Sequence, residues 1–168
     1  DARLENREQL AASLPVGSTA LVVDAGQDAI AAISNALAQL GQVDSIQVFS
    51  HGATGQFTLG NQTFTAQTVD QFGERLSAWR GELSPGADIQ LYGCDVGAGS
   101  AGQALVNEIA RWTGADVGAS NNATGAGSAG GDWNLEVRNG DLDKAIALSA
   151  DTLSSFQGLL PDASPTVS

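Results

Sequence analysis

A chain of 168 residues with a net charge of −12 and seven Lys and Arg in total is long enough for one domain with a substantial core and too short for two ordinary ones. The scarcity of cations argues against nucleic acid as a partner. Hydrophobic residues make up 42% of the chain, which predicts a folded globule, and no apolar run approaches the roughly 18 residues of a membrane span. No signal-peptide pattern is present, and the start at Asp1 together with the absence of methionine predicts a piece cut from a longer protein. The single cysteine excludes an internal disulfide.

In chain order, Ala2 to Leu14 reads as a short amphipathic helix stopped by Pro15 and Gly17, and residues 1–16 are expected to form an entry segment. Ala20 to Val23 is continuously apolar and ends in Asp24, the pattern of a strand buried on both faces of a parallel sheet. Asp28 to Leu40 spaces Ile30, Ile33, Leu37 and Leu40 as a helix with one buried stripe, stopped by Gly41. A second strand, Ile46 to Ser50, runs into His51-Gly52. Phe57, Leu59 and Phe64 alternate around Gly60-Asn61 and predict a hairpin that covers the site. Ala66 to Leu83 returns to helical spacing with Val69, Phe72, Leu76 and Trp79, closed by Pro85-Gly86.

A third buried strand, Asp88 to Tyr92, runs into Gly93-Cys94; a helix from about Ser100 to Thr113 and a fourth strand, Ala115 to Ala119, follow. The Gly/Ala/Ser-rich run from Asn121 to Gly131 holds too little apolar surface to pack and is expected to be a mobile loop. Trp133, Leu135 and Val137 alternate before Asn139-Gly140, a hairpin turn signal, with Ile146 and Leu148 in the expected returning strand. The predicted fold is α/β: a mainly parallel central sheet flanked by helices on both faces, with a small hairpin insertion and a C-terminal hairpin. The domain is expected to span residues 17–159, with residues 160–168 a linker into a following domain.

The sole histidine and the sole cysteine each close an apolar run already read as a parallel strand, and each adjoins a glycine. The carboxyl ends of parallel strands share one rim, where catalytic groups collect. A thiolate at Cys94 is a nucleophile for a carbonyl, and the His51 imidazole can take its proton and return it to a leaving amine. Gly52 and the backbone at Cys94 offer N–H groups to the oxyanion. The bland alternative is a core-filling cysteine and a structural histidine.

The strings Val48-Phe49-Ser50-His51-Gly52 and Leu91-Tyr92-Gly93-Cys94 resemble the signature blocks of the caspase-like cysteine peptidase clan, which includes caspases, legumain, gingipains and clostripain. The spacing of histidine and cysteine is near the roughly 50 residues expected for caspases. That resemblance covers about Ala20 to Ala119 and implies a caspase-like core with a His51–Cys94 dyad. It also implies that Ser120 and Asn121 wall the substrate groove with Tyr92 and Asp95, and that Asp24 orients the histidine.

Nearly the whole chain is similar to an uncharacterised domain near the N-terminus of very large bacterial surface proteins with cadherin-like or calcium-binding repeats. Ser50-His51-Gly52, Leu91-Tyr92-Gly93-Cys94 and Gly131-Asp132-Trp133-Asn134-Leu135 carry that similarity. It implies an exported, surface-associated adhesin-like parent whose following repeats are neighbours of this domain in one chain. The acidic, lysine-poor composition suits such a secreted setting.

This chain departs from the clan at two positions. Asp95 follows the cysteine, where its charge opposes thiolate formation if it points inward, and the neutral Tyr92 stands where basic-specific peptidases carry an acid. Asp24 reads equally as a helix cap. No zinc set is present, and Asp141 and Asp143 lack the rest of an EF-hand loop, so no cofactor is predicted and calcium is not indicated by a motif. The spacing of Trp79, Trp112 and Trp133 predicts core packing.

Three functions follow as expectations. One is a cysteine peptidase that processes its own polypeptide or another protein during export. The second is a non-catalytic structural or retention module built on a peptidase scaffold. The third, a carbohydrate- or calcium-binding domain, rests on acidity and the tryptophans alone.

Overall fold

The computed structural model describes residues 1–5 and 7–160; the expected linker beyond Leu160 lies outside them. Its central sheet has four strands in the order β1 (Val43–Phe49), β5 (Leu83–Tyr92), β6 (Asp116–Ala119), β7 (Val137–Asn139), the first three parallel and the last antiparallel. A smaller antiparallel sheet is formed by β2 (His51–Ala53), β3 (Gln56–Leu59) and β4 (Gln62–Phe64). The helices are α1 (Arg7–Ala12), α2 (Ala29–Leu40), α3 (Ala66–Gln71), α4 (Gly73–Ser77), α5 (Gly99–Thr113) and α6 (Ala150–Ser155). The expected α/β architecture, mainly parallel and flanked by helices, is the observed one.

Strand alternation sorts the side chains onto two faces. Ile46, Val48, Ile89, Leu91, Val117 and Ala119 join the larger core with Ile30 and Leu37 of α2, Leu76 of α4, and Leu105 and Ile109 of α5. Successive crossovers from β1 to β5 to β6 advance in one direction, which for right-handed connections brings their helices onto one face. Phe57 and Phe64 stack across the β3–β4 hairpin at 4.7 Å between centroids and complete this core.

The opposite face carries Gln47, Phe49, Gln90 and Tyr92. There the 142–148 segment runs over the sheet, tied by Gln90 Nε2 donating to Lys144 O at 2.6 Å and Gln47 Nε2 donating to Ala145 O at 2.8 Å. Leu4, Leu10, Tyr92, Cys94, Leu135, Leu148, Phe156 and Leu160 form a second buried cluster on this side.

Local chemistry explains both ends of α2. Asp28 caps α2 through a bond from the Ala31 N–H at 2.9 Å and is held by Arg75 at 2.8 Å and Gln62 at 3.1 Å. These bonds, the Ala31 N–H first, hold its carboxyl below the usual range. Gly41 ends α2 at φ 75°. Trp79 is buried and its indole N–H donates to Ser34 Oγ at 2.8 Å; Trp112 and Trp133 are half-buried.

Several expected elements differ. Ala20–Val23 is not a strand: β1 is an outer strand of the sheet, and Leu21 and Val22 are 43% and 48% exposed. The N-terminal residues have engaged the groups concerned, Ala2 N–H donating to Val23 O at 2.9 Å and the Asp1 amino group to Phe49 O at 2.9 Å. An apolar cleft of about 560 Å³ is left beside β1. Leu40, assigned to the buried stripe of α2, is 49% exposed at its last turn.

The single helix expected over Ala66–Leu83 is divided into α3, α4 and a 3-10 turn, Ala78–Glu82. The break falls at Phe72-Gly73, where a Cβ on Gly73 would lie 2.2 Å from the Trp112 ring. Pro85-Gly86 lies inside β5, beside a register shift between Val43 and Ser45. The C-terminal half contributes β7, paired to β6; residues 141–148 form no returning strand.

The opposite end of the sheet from Cys94 carries a concentration of acid. Burial first, then the charges of Asp88, Asp141 and Asp143, raise the Asp116 carboxyl above its ordinary range. The folded state therefore holds that proton more tightly than the unfolded chain, so this group adds stability as pH falls through its raised pKa. Asp116→Asn should accordingly raise the melting temperature at pH 7, and the advantage should shrink on titration toward pH 4. A constant difference across that range in thermal melts would contradict the assignment.

Candidate functional site

β1 and β5 are in parallel register from Ser45↔Asp88 to Phe49↔Tyr92, and the pairing continues one step further as Ser50 N–H donates to Tyr92 O at 3.1 Å. Both strands thus end together, with His51-Gly52 leaving one and Gly93-Cys94 leaving the other. The backbones touch: a Cβ on Gly52 would lie 2.5 Å from Cys94 O and 2.4 Å from Val96 Cγ2, and one on Gly93 would lie 2.8 Å from Ser50 O. Glycine at both positions is a condition of that approach. The expected shared rim is therefore observed.

His51 is half-buried at the start of β2, opposite Thr58 of β3, so the hairpin sheet flanks the histidine. Its turn packs on the start of α5, where a Cβ on Gly55 would lie 2.5 Å from Ala101 Cβ.

Cys94 is 4% exposed. Its thiol is hydrogen-bonded to Leu160 O and to Thr124 O, the latter at 3.8 Å, while Thr124 N–H donates to Sγ at 3.4 Å. Thr124 is fully buried, and its hydroxyl has no hydrogen-bond partner among the described residues. Tyr92 is buried beside Phe49, with centroids 5.0 Å apart, and donates to Gln90 Oε1 at 3.2 Å. Burial pushes its phenol up to about 12, so it stays neutral and offers an apolar ring and one hydroxyl.

Asp95 is half-buried and adopts φ 60°, the left-handed conformation that Asp tolerates better than most side chains. That conformation starts a turn in which Ala98 N–H donates to Asp95 O at 2.9 Å. The loop after β6 clamps it: Asp95 N–H donates to Asn122 O at 2.9 Å and Gly97 N–H to Ser120 O at 2.7 Å. Ser120 is fully buried and bonded to Asn122, while Asn121 is exposed with its N–H on Glu136 at 3.1 Å. Ser120 and Asn121 thus adjoin the cysteine loop.

Asp24 does not end a strand. It is exposed in a turn, its N–H on Gln27 Oε1 at 3.1 Å, and Asp28 is the helix cap. The groups the sequence did not mark are Thr124 and Leu160. The former lies within the run expected to be a mobile loop, which instead packs: Thr124, Gly125 and Ala126 are buried, a bridge joins Thr124 to Asp132, and a 3-10 turn spans Gly127–Ala129. Backbone bonding replaces the apolar side chains this run lacks. Among the described residues no group of three or more His, Cys, Asp or Glu could hold a metal ion, and no helix is long and apolar enough to cross a membrane.

A family model described as "Domain of unknown function (DUF4347)" matches residues 1–160. No curated protein and no solved structure gives a significant match.

Two backbone positions test the geometry. Gly52→Ala forces a methyl against the Cys94 carbonyl and should cost about 1–3 kcal/mol in denaturant unfolding. Asp95→Gly relieves a left-handed side-chain position and should leave stability within about 1 kcal/mol of the parent. A neutral Gly52→Ala would show that the strand ends are not in contact.

Proposed function

Starting from the premise that the chain belongs to the DUF4347 family, we propose that the domain is a caspase-like cysteine peptidase acting on its own polypeptide or on a neighbouring protein. The observation that carries this reading is the meeting of Gly52 and Cys94 at the ends of adjacent parallel strands. It supports pairing the chain's one histidine with its one cysteine.

In the proposed chemistry His51 takes the Cys94 proton and the thiolate adds to a peptide carbonyl. The N–H groups of Gly52 and Cys94 receive the oxyanion. The C–N bond breaks as the amine takes the proton from His51, and water hydrolyses the thioester, returning the thiol and releasing a carboxylate. The neutral Tyr92 supplies no acid to select a basic residue next to the cleaved bond. An exported bacterial surface protein is the proposed setting, supported by the sequence resemblance and the acidic composition.

A second reading, a non-catalytic module keeping the scaffold, is favoured by the deep burial of Cys94 and by Asp95 beside it. Iodoacetamide labelling of the folded protein separates the two. For the peptidase, Cys94 corrected for its accessibility should react at least 10-fold faster than a free cysteine at neutral pH, and His51→Ala should abolish the excess. Labelling that is indifferent to His51→Ala favours the structural module, as would unchanged processing of the parent protein in Cys94→Ala.

A further inference from the structure

The cover over Cys94 is a segment of the same chain, joined to the Gly-rich run by an isolated β-bridge. After α6, Phe156 packs edge-on against Trp133 at 5.2 Å between centroids, and residues 158–160 cross the cysteine loop. Leu159 forms an antiparallel bridge with Gly125, flanked by Ala126 N–H donating to Gly158 O at 2.9 Å and Leu160 N–H donating to Thr124 O at 2.8 Å. The pairing resembles the start of strand addition, in which main-chain bonds give affinity and side-chain pockets give selectivity. Leu160 is 2% exposed, in the same buried cluster as Tyr92, Cys94, Leu135 and Phe156, and its carbonyl oxygen takes the thiol proton in a hydrogen bond.

The Gly-rich run is shaped to this occupant. A Cβ on Gly125 would lie 2.6 Å from Gly158 O, and a Cβ on Gly131 would lie 2.6 Å from Leu159 Cδ2. A side chain at Gly125 would collide with the segment's backbone, and one at Gly131 would meet the Leu159 side chain and the backbone of Gly125.

We propose that Gly158–Leu160 is a tethered resident of the Cys94 groove. It blocks the thiol in cis and marks the groove as selective for an extended peptide with leucine at the residue whose carbonyl meets Cys94. The reactivity of the uncovered thiol rests on the dyad reading above; the occupancy does not.

The test uses the full chain and compares Cys94 alkylation by iodoacetamide in the parent, in Leu160→Asp and in Gly158→Val. A buried carboxylate disfavours the seated state, and valine at the φ 84° of Gly158 strains the segment where a Cβ meets nothing within 4 Å. Both variants should label at least 10-fold faster with the main melting transition retained. Equal rates in the parent and in a folded Gly158→Val overturn the tethered cover.

In Leu160→Asp, acetyl-Gly-Leu-Leu chloromethyl ketone should alkylate Cys94, forming the C–S bond with loss of chloride, at least 10-fold faster than the Gly-Leu-Asp analogue. Equal rates overturn the leucine selectivity. If the cover lifts and His51→Ala in the Leu160→Asp background leaves iodoacetamide labelling unchanged, the occupant stands and the dyad fails. If labelling depends on His51 in every background but never on residues 158 or 160, the dyad stands and the occupant fails.

Discussion

The parallel pairing of β1 with β5 is the constraint from which the rest of the molecule follows. Because the register runs without interruption from Ser45 opposite Asp88 to Phe49 opposite Tyr92, the two strands end at the same level. Whatever follows them must meet. Two glycines let the backbones close to contact there, and one consequence is that the residues flanking those glycines follow strand ends that meet. The same pairing separates the sheet into a strongly apolar face under α2, α4 and α5 and a second face bearing Gln47 and Gln90. A fully apolar second face would need a second layer of helices. The two amides instead take up the carbonyls of a coil segment and let it lie flat against the sheet.

That arrangement explains how far the sequence could be read. Asp28, Gly41, the Gly60-Asn61 turn and the apolar runs before His51 and Cys94 are local signals with local causes, and the elements they predict are present. The approach of His51-Gly52 to Gly93-Cys94 was legible for the same reason: parallel strands share a rim whatever their side chains. Ala20–Val23 has the composition of a buried strand, yet pairing depends on a free partner edge, and composition carries no record of where Asp1 and Ala2 bind. The periodicity of Ala66–Leu83 is equally genuine. Its division at Gly73 is imposed by Trp112, some forty positions away, whose ring takes the space a continuous helix with a side chain there would fill.

The least legible part was the groove. Thr124, Gly125 and Ala126 present almost no side chain, so hydrophobic periodicity assigns them nothing, and Leu160 stands beside Pro161 in a stretch that reads as linker. Their association is made of main-chain hydrogen bonds between segments more than thirty residues apart, an interaction to which every residue except proline contributes alike. Small-residue content is the one trace it leaves. A glycine run close behind a parallel strand that follows the cysteine strand therefore has two physical readings: slack chain, or a surface cleared for another backbone. The spacing of Gly125 and Gly131 against Leu159 favours the second.

Burial of a thiol by a segment of its own chain also bears on how such a group is kept inert. A cysteine packed wholly among apolar side chains would be uncovered only by disrupting the core. Here the layer above Cys94 is held by two flanking backbone hydrogen bonds, the thiol bond to Leu160 and the Leu159 and Leu160 side chains, while the strands beneath belong to the main sheet. Local opening of one short segment costs less than global unfolding, because it exposes less apolar surface and breaks fewer bonds. The cover and the scaffold thus differ in stability by construction. Access to Cys94 can change while β1, β5 and the contact at Gly52 remain in place.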